Sequence, residues 1–249
     1  MVSTFLVRGM LVGIVAGLLS FGFLRIYGEP QVDRAIAFEE HMDGEKAEFA
    51  KRHNMPIPEE QPELVSRPVQ AGLGLFVAVM VYSAAFGGLF GLAFAFAQGR
   101  MAGELSPRAL AALLALIGFV AIYLVPNLKY PANPPSIGNP DTIGARTALY
   151  FGMIGISLIA IIGAVNFRRM LKDRYGGWNA TLIVGGYYLV VVVVAALLLP
   201  VVNEVPDEFP AVVLWKFRIA SLTAQLIMWA TLGLLFGAWT QRAMALRTS

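Results

Sequence analysis

Six apolar stretches, each long enough to cross a lipid bilayer as a helix, dominate this sequence of 249 residues. A helix rises about 1.5 Å per residue, so about 20 apolar residues span a hydrocarbon core roughly 30 Å thick. The chain is 57% hydrophobic and 14% charged, whereas soluble domains carry about 25% charged residues. We therefore predict an all-α integral membrane protein, one membrane domain over 1–249 built as a six-helix transmembrane bundle. The predicted spans are 5–26, 69–98, 108–126, 146–166, 178–201 and 214–239.

The residue types that are missing narrow the range of functions. There is no cysteine, which excludes disulfides, thiolate metal ligands and cysteine nucleophiles. No phosphate-cradling glycine loop, nucleophile and base pair, or H-E-x-x-H spacing occurs, so we do not predict an enzyme. The net charge of +3 is distributed loop by loop, and we predict no nucleic-acid partner. A metal site in this chain would use nitrogen and oxygen ligands.

Glycines repeat every four residues in the first two predicted spans. Gly9, Gly13 and Gly17 fall on one face of the first span, and Gly87 and Gly91 fall on one face of the second. Small residues at this spacing let two helix backbones approach closely within a membrane. We predict that the first span is retained rather than cleaved as a signal peptide, and that it forms a tight helix contact.

The one long polar segment, residues 28–68, contains ten acids and five bases. We predict an extracytoplasmic amphipathic insertion of one or two short helices, interrupted near Gly44 and followed by a proline-rich linker. Both histidines of the chain lie here among carboxylates. Imidazole and carboxylate ligands suit Co²⁺ or a similar ion, so a weak metal site is one hypothesis, and solvated histidines on a charged helix are the other. The candidate ligands are His41, Asp43, Glu45 and His53.

A proline-rich stretch, residues 127–150, separates the third and fourth predicted spans. Five prolines from Pro126 to Pro140 remove backbone donors, while Gly138 and Gly144 permit tight bends. The segment is therefore predicted to be stiff without being helical, with amides and charges available along it.

Charges on this stretch balance those on the loop before the last span. The bases are Lys129, Arg146, Lys216 and Arg218, and the acids are Asp141, Glu204, Asp207 and Glu208. Two interpretations stay open: ion pairs that clamp the proline-rich loop at the membrane rim, or carboxylates and amides that line the entrance of a pathway for a divalent cation. In either case we expect Arg146 to pair with one of the four acids. Three further polar candidates for the clamp or the pathway are Asn133, Tyr150 and Gln225.

Orientation follows from the distribution of the charges. With both termini in the cytoplasm, all 16 acids except Glu104 and Asp173 lie outside, and the short inner connections are basic. We predict a multi-pass protein of the inner membrane of a prokaryote with this topology.

Three motifs resemble one known family. The stretches YPANPPSIG from Tyr130, DTIGART-LY from Asp141 and EFP-VVLWKFRIASL-AQ from Glu208 are similar to the CbtA family of predicted cobalt transporter subunits. The resemblance implies Co²⁺ as the transported ion, a link with cobalamin supply and a small membrane partner of the CbtB type. We expect no bound cofactor. The expected function is transport of a divalent transition-metal cation, and the alternative is a non-conducting scaffold or accessory subunit.

Overall fold

The structure is a computed structural model, and it describes residues 2–56, 64–101, 105–135, 137–138 and 140–246. The described residues are mostly helical and form no strands, which confirms the predicted all-α class. Five of the helices are long and apolar enough to cross a membrane. They are α1 (Val2–Arg52), α2 (Arg67–Arg100), α3 (Pro107–Lys129), α4 (Ile143–Leu198) and α5 (Ala211–Ala245).

Helix α1 is much longer than predicted, because it does not end at residue 26 as expected. A π-helical turn at Leu24–Gly28 joins the apolar part directly to the polar part, Glu29–Arg52. Pro30 lies in the first turn after this junction, where the preceding π-helical turn changes the hydrogen-bond pattern of the helix. The helix of the first span therefore continues through the polar part.

The predicted interruption near Gly44 is also wrong. Glycine within a helix costs about 1 kcal/mol relative to alanine, and neighbouring side-chain pairs offset part of that cost. The pair of Asp43 and Lys46, 2.8 Å apart, spans Gly44, and the pair of Glu48 and Arg52, 3.2 Å apart, lies in the next turns. The helix therefore continues to Arg52.

Two further predicted boundaries, at Pro126 and at residue 166, differ in the structure. Helix α3 passes through Pro126 and ends at Lys129, because the π-helical turn Phe119–Leu124 directly precedes the proline and changes the local hydrogen-bond pattern. The predicted fourth and fifth spans both lie in α4, since the basic segment between them is helical. The break comes only at Gly176, whose φ of 75° and ψ of 161° are non-helical and favour glycine.

By its internal contacts the chain divides into two compact units. The first unit comprises Met1–Leu116, Asn133–Ile137 and Val205–Ser249, and the second comprises Ile117–Ala132 and Gly138–Glu204. The proline-rich loop therefore contributes one short segment to the first unit and its remaining residues to the second.

The first unit is organised around the contact between α1 and α2, where the predicted glycine packing is confirmed. A Cβ atom on Gly9 would overlap the carbonyl oxygen of Gly87, and one on Gly13 would overlap that of Ser83. Helix α5 completes this core with Phe236, whose ring lies edge-on to the fully buried Phe94 at 5.0 Å between centroids. Close backbone approach and interlocked aromatic rings thus fix this unit.

The second unit pairs the two arms of α4 on either side of Gly176. The hydroxyls of Ser157 and Tyr188 lie 2.7 Å apart, and Nε of Arg168 donates to Oγ1 of Thr181 at 2.9 Å. Ser157 is fully buried, so one of these hydrogen bonds satisfies a polar group inside the unit.

Candidate functional site

The part of the proline-rich loop in the second unit is held by one ion pair. Nε of Arg146, in the first turns of α4, lies 3.1 Å from Oε2 of Glu204. The other oxygen of Glu204, Oε1, accepts a hydrogen bond from the hydroxyl of Thr142. The side chains of Arg146 and Glu204 are 29% and 13% exposed. The expected pairing of Arg146 with one of four carboxylates is therefore present, and the partner is Glu204.

Gly138 passes directly over this ion pair. Its φ of +120° is a conformation that side chains disfavour, and a Cβ atom there would lie 2.8 Å from Oε2 of Glu204 and 2.9 Å from Nη1 of Arg146. Glycine is required for both reasons. We refer to Gly138, Thr142, Arg146 and Glu204 as the Arg146 cluster.

Tyr130 fixes the beginning of the same loop. Its hydroxyl donates to the carbonyl oxygen of Pro200 at 2.9 Å. Burial raises the pKa of Tyr130, so the phenol stays protonated and remains a donor. Nζ of Lys129 lies 5.7 Å from the centre of the Tyr130 ring, within the range of a cation–π contact.

The loop segment in the first unit is anchored separately. Nη2 of Arg218, on α5, donates to Oδ1 of Asn133 at 2.9 Å. Ile137 is buried against Ala35 of α1 and Phe209, so the polar part of α1 supplies apolar contacts to the loop. Two predicted site residues, Asn133 and Arg218, are thus brought together.

The other predicted site residues are more dispersed. Asp141, Asp207, Glu208 and Lys216 are exposed, and Tyr150 is half-buried with its ring 6.4 Å from that of Phe151. Nε2 of Gln225 lies 3.5 Å from the hydroxyl of Tyr82. Asp207, Glu208 and Lys216 belong to the first unit, whereas the Arg146 cluster belongs to the second.

The candidate metal ligands on α1 lie along an exposed helix surface. Nδ1 of His41 is 3.9 Å from Oε1 of Glu45, and Asp43 contacts Lys46 instead. Nδ1 of His53 lies 2.9 Å from the carbonyl oxygen of Phe49. In the described ranges no three histidine or carboxylate groups are positioned to hold a metal ion.

A cluster that sequence reasoning missed lies where α1 becomes polar. Nη2 of Arg67, the first residue of α2, lies 2.5 Å from Glu29 and 2.8 Å from Asp33. Glu29 is buried, with 8% of its side chain exposed. The four-residue spacing of Glu29 and Asp33 indicates a shared helix face, but nothing in the sequence points to a base more than 30 residues later.

The chemistry of the Arg146 cluster follows from its contacts. Both oxygens of Glu204 are occupied, by a cation and by a hydroxyl, which lowers the cost of burying a carboxylate. Free carboxylate oxygens for a cation are instead available at the exposed Asp207 and Glu208. The cluster therefore shapes the loop, while exposed acids nearby in sequence can attract cations.

Comparison with known proteins agrees with the loop motifs. The family model described as "Probable cobalt transporter subunit (CbtA)" matches residues 2–241, nearly the whole chain. No curated protein and no solved structure matches the chain significantly. The matched range includes both halves of the loop, the Arg146 cluster and all the predicted spans, so the chain belongs to the CbtA family of probable cobalt transporter subunits.

Proposed function

We propose that this chain is the membrane subunit of a transporter for a divalent transition-metal cation, with Co²⁺ as the transported ion. Membership of the CbtA family over nearly the whole chain carries the proposal. Five helices with the length and apolar character of membrane spans support it. The test is uptake of radioactive Co²⁺, with Ni²⁺ as competitor, by cells that express the chain.

The proposed topology has six spans, because α4 crosses the membrane once on each side of Gly176. The non-helical backbone at Gly176 supports a reversal there, and the adjacent segment carries Arg168, Arg169, Lys172 and Arg174, as cytoplasmic connections do. Both termini then lie on the cytoplasmic side of the inner membrane of a prokaryote.

Single cysteines test this topology, since the chain has none of its own. An impermeant thiol reagent applied to intact cells should label Met55→Cys and leave Thr248→Cys unlabelled until the cells are opened. Equal labelling of the two variants in intact cells would reject the proposed orientation.

The ion is proposed to approach through the carboxylates of the outer loops. Asp207 and Glu208 are exposed, and carboxylate, carbonyl and water oxygens suit divalent cations of this kind. Asp207→Asn combined with Glu208→Gln should lower Co²⁺ uptake at limiting concentration with the amount of folded protein unchanged. Glu45→Gln, on the exposed surface of α1, is the control for loss of a negative charge.

A small membrane partner, as in the CbtB type, is proposed to dock on α4. Only 11% of the most apolar window of α4 is buried, against 44% for α3. In the described part, no neighbouring atom lies within 4 Å of a Cβ placed on Gly152, Gly155, Gly185 or Gly186, which leaves room for close approach of another helix. Co²⁺ uptake should therefore be higher when the small subunit is co-expressed.

The alternative is a non-conducting scaffold that assembles or regulates a partner. No Asp, Glu or His lies within any of the six predicted spans, so the membrane interior lacks the groups that usually relay protons or bind ions. Liposomes containing the pure chain separate the two functions. If these liposomes take up Co²⁺, the chain is a carrier. If they do not, and liposomes that contain only the partner do, the chain is an accessory subunit.

A further inference from the structure

An apolar groove runs along the first unit between α1 and the C-terminal part of α5. Its volume is about 590 Å³. Leu11 and Val15 of α1 form one wall, and Leu235, Ala238 and Trp239 of α5 form the other, with Arg242 at one end. Leu11, Val15, Leu235 and Trp239 are all exposed, so the groove is open along its length.

Positive charge is concentrated at the Trp239 end of this groove. Arg8 of α1 lies with its guanidinium carbon 5.4 Å from the centre of the Trp239 ring, and its Nη1 donates to Oγ1 of Thr240 at 3.3 Å. Thr240 is fully buried, so Arg8 is oriented by a fixed group. Arg242 follows Trp239 by one helical turn and is exposed. One guanidinium group therefore lies against the indole ring, and a second arginine follows that ring on α5.

The two helical segments that form the groove carry no acidic side chain. Residues 1–28 and 209–249 contain neither Asp nor Glu. The helices that line the groove thus supply cations and an apolar channel but no carboxylate of their own. The occupant that complements this surface has one negative group and a long apolar body.

We propose that the groove is a binding site for an anionic phospholipid, whose phosphate contacts Arg242 and whose acyl chain lies along Leu11, Val15 and Leu235. Arginine binds phosphate through parallel hydrogen bonds, basic pockets between membrane helices bind anionic head groups, and tryptophan favours the bilayer interface. A helix of another protein would complement Arg242 only if it carried an acid at that end, whereas every anionic phospholipid carries its negative group directly beside its apolar chains. The charge at the end of the groove therefore favours lipid.

The proposal predicts a preference for phosphatidylglycerol over phosphatidylcholine, which has the same acyl chains and a zwitterionic head group. We would titrate each lipid into the purified full chain in detergent and count retained lipid by native mass spectrometry. Phosphatidylglycerol should bind at least tenfold more tightly and should raise the melting temperature. Arg242→Gln should reduce that preference at least fivefold, and since Arg242 is exposed, the fold should survive.

Two further variants make the test specific to the groove. Ala238→Trp fills the channel and should abolish retention of either lipid, and Val15→Trp on the opposite, exposed wall should do the same if Ala238→Trp folds poorly. Arg174→Gln removes an exposed arginine of the second unit and should leave the preference unchanged. Equal binding of the two lipids, or retention by Arg242→Gln as strong as in the parent, overturns the proposal. So does a photo-crosslinker at Leu11 that captures another membrane protein and no lipid in native membranes.

Discussion

Oε2 of Glu204 lies 3.1 Å from Nε of Arg146, while Oε1 of the same carboxylate accepts a hydrogen bond from Thr142. Glu204 is in the middle of the connection between α4 and α5, and Arg146 is in the first turn of α4, 58 residues earlier by their numbers. The pair therefore ties two distant segments of the second unit together. Because both oxygens have partners, the carboxylate serves to hold the loop rather than to ligate a free ion.

Arg146→Ala should destabilise the protein substantially. Removing one member of a buried pair leaves the other charge without its partner and costs about 3 to 5 kcal/mol, whereas exposed pairs contribute about 0 to 1 kcal/mol. Because Glu204 is 13% exposed and Arg146 is 29% exposed, we expect the free energy of unfolding to fall by about 2 to 4 kcal/mol. Equilibrium unfolding in detergent measures this change.

Two variants control this prediction. Lys46→Ala breaks the exposed Lys46 to Asp43 pair and should change the free energy of unfolding by less than about 1 kcal/mol. Adding Glu204→Gln to Arg146→Ala removes the buried charge and should restore part of the lost stability. If Arg146→Ala and Lys46→Ala have the same small effect, the Arg146 cluster does not anchor the loop.

Gly138→Ala should destabilise the protein through both backbone strain and side-chain overlap. The φ of +120° is unfavourable for alanine, and the new Cβ would lie under 3.0 Å from atoms of Arg146 and Glu204. We expect a lower melting temperature, with a loss above about 1 kcal/mol. Gly144→Ala is the matched control, because Gly144 is in the first turn of α4 and its added Cβ meets no described atom within 4 Å. Equal melting temperatures for the two variants would contradict the assigned role of Gly138.

The sequence predicts some of these features because their physical signals are local. Glycines spaced four residues apart give a helix face without side chains, so the contact of Gly9 and Gly13 with α2 could be predicted. The length and apolarity of the spans likewise predict the all-helical class. Both signals are complete within about 20 residues of chain.

Helix ends and pair partners were not predictable in the same way. A proline or a glycine lowers helix propensity, yet the helix continues through both Pro126, after a π-helical turn, and Gly44, which a charge pair spans. The equal numbers of acids and bases give four candidate partners for Arg146. The choice of Glu204 depends on the tertiary position of a loop that is distant in sequence. The division of the proline-rich loop between two units is a tertiary property with no local signal.

The contact between α1 and α2 predicts a strong penalty at Gly13. Even one added carbon at Gly13 would overlap the backbone of Ser83, and backbone atoms cannot move aside as a flexible side chain can. Gly13→Ala should therefore lower the melting temperature in detergent and reduce expression. Gly22→Ala is the control in the same helix, since no described atom lies within 4 Å of its added Cβ. If both variants melt with the parent, the two helices do not need this close approach.

The junction between the apolar and polar parts of α1 depends on Arg67. Glu29 is 8% exposed and lies 2.5 Å from Nη2 of Arg67, which also contacts the more exposed Asp33 at 2.8 Å. Arg67 begins α2, so this pair links the start of one helix to the middle of another within the first unit. A buried carboxylate without its cation is costly.

Arg67→Gln should lower the free energy of unfolding by about 3 kcal/mol, at the lower end of the range for breaking a buried ion pair. The loss comes from Glu29 rather than from Asp33, because Asp33 is 60% exposed and water can replace its partner. Adding Glu29→Gln to Arg67→Gln should therefore recover much of the stability, and adding Asp33→Asn should recover little. The three variants are compared by equilibrium unfolding in detergent. Equal recovery from Glu29→Gln and Asp33→Asn would show that burial of Glu29 does not determine the strength of this link.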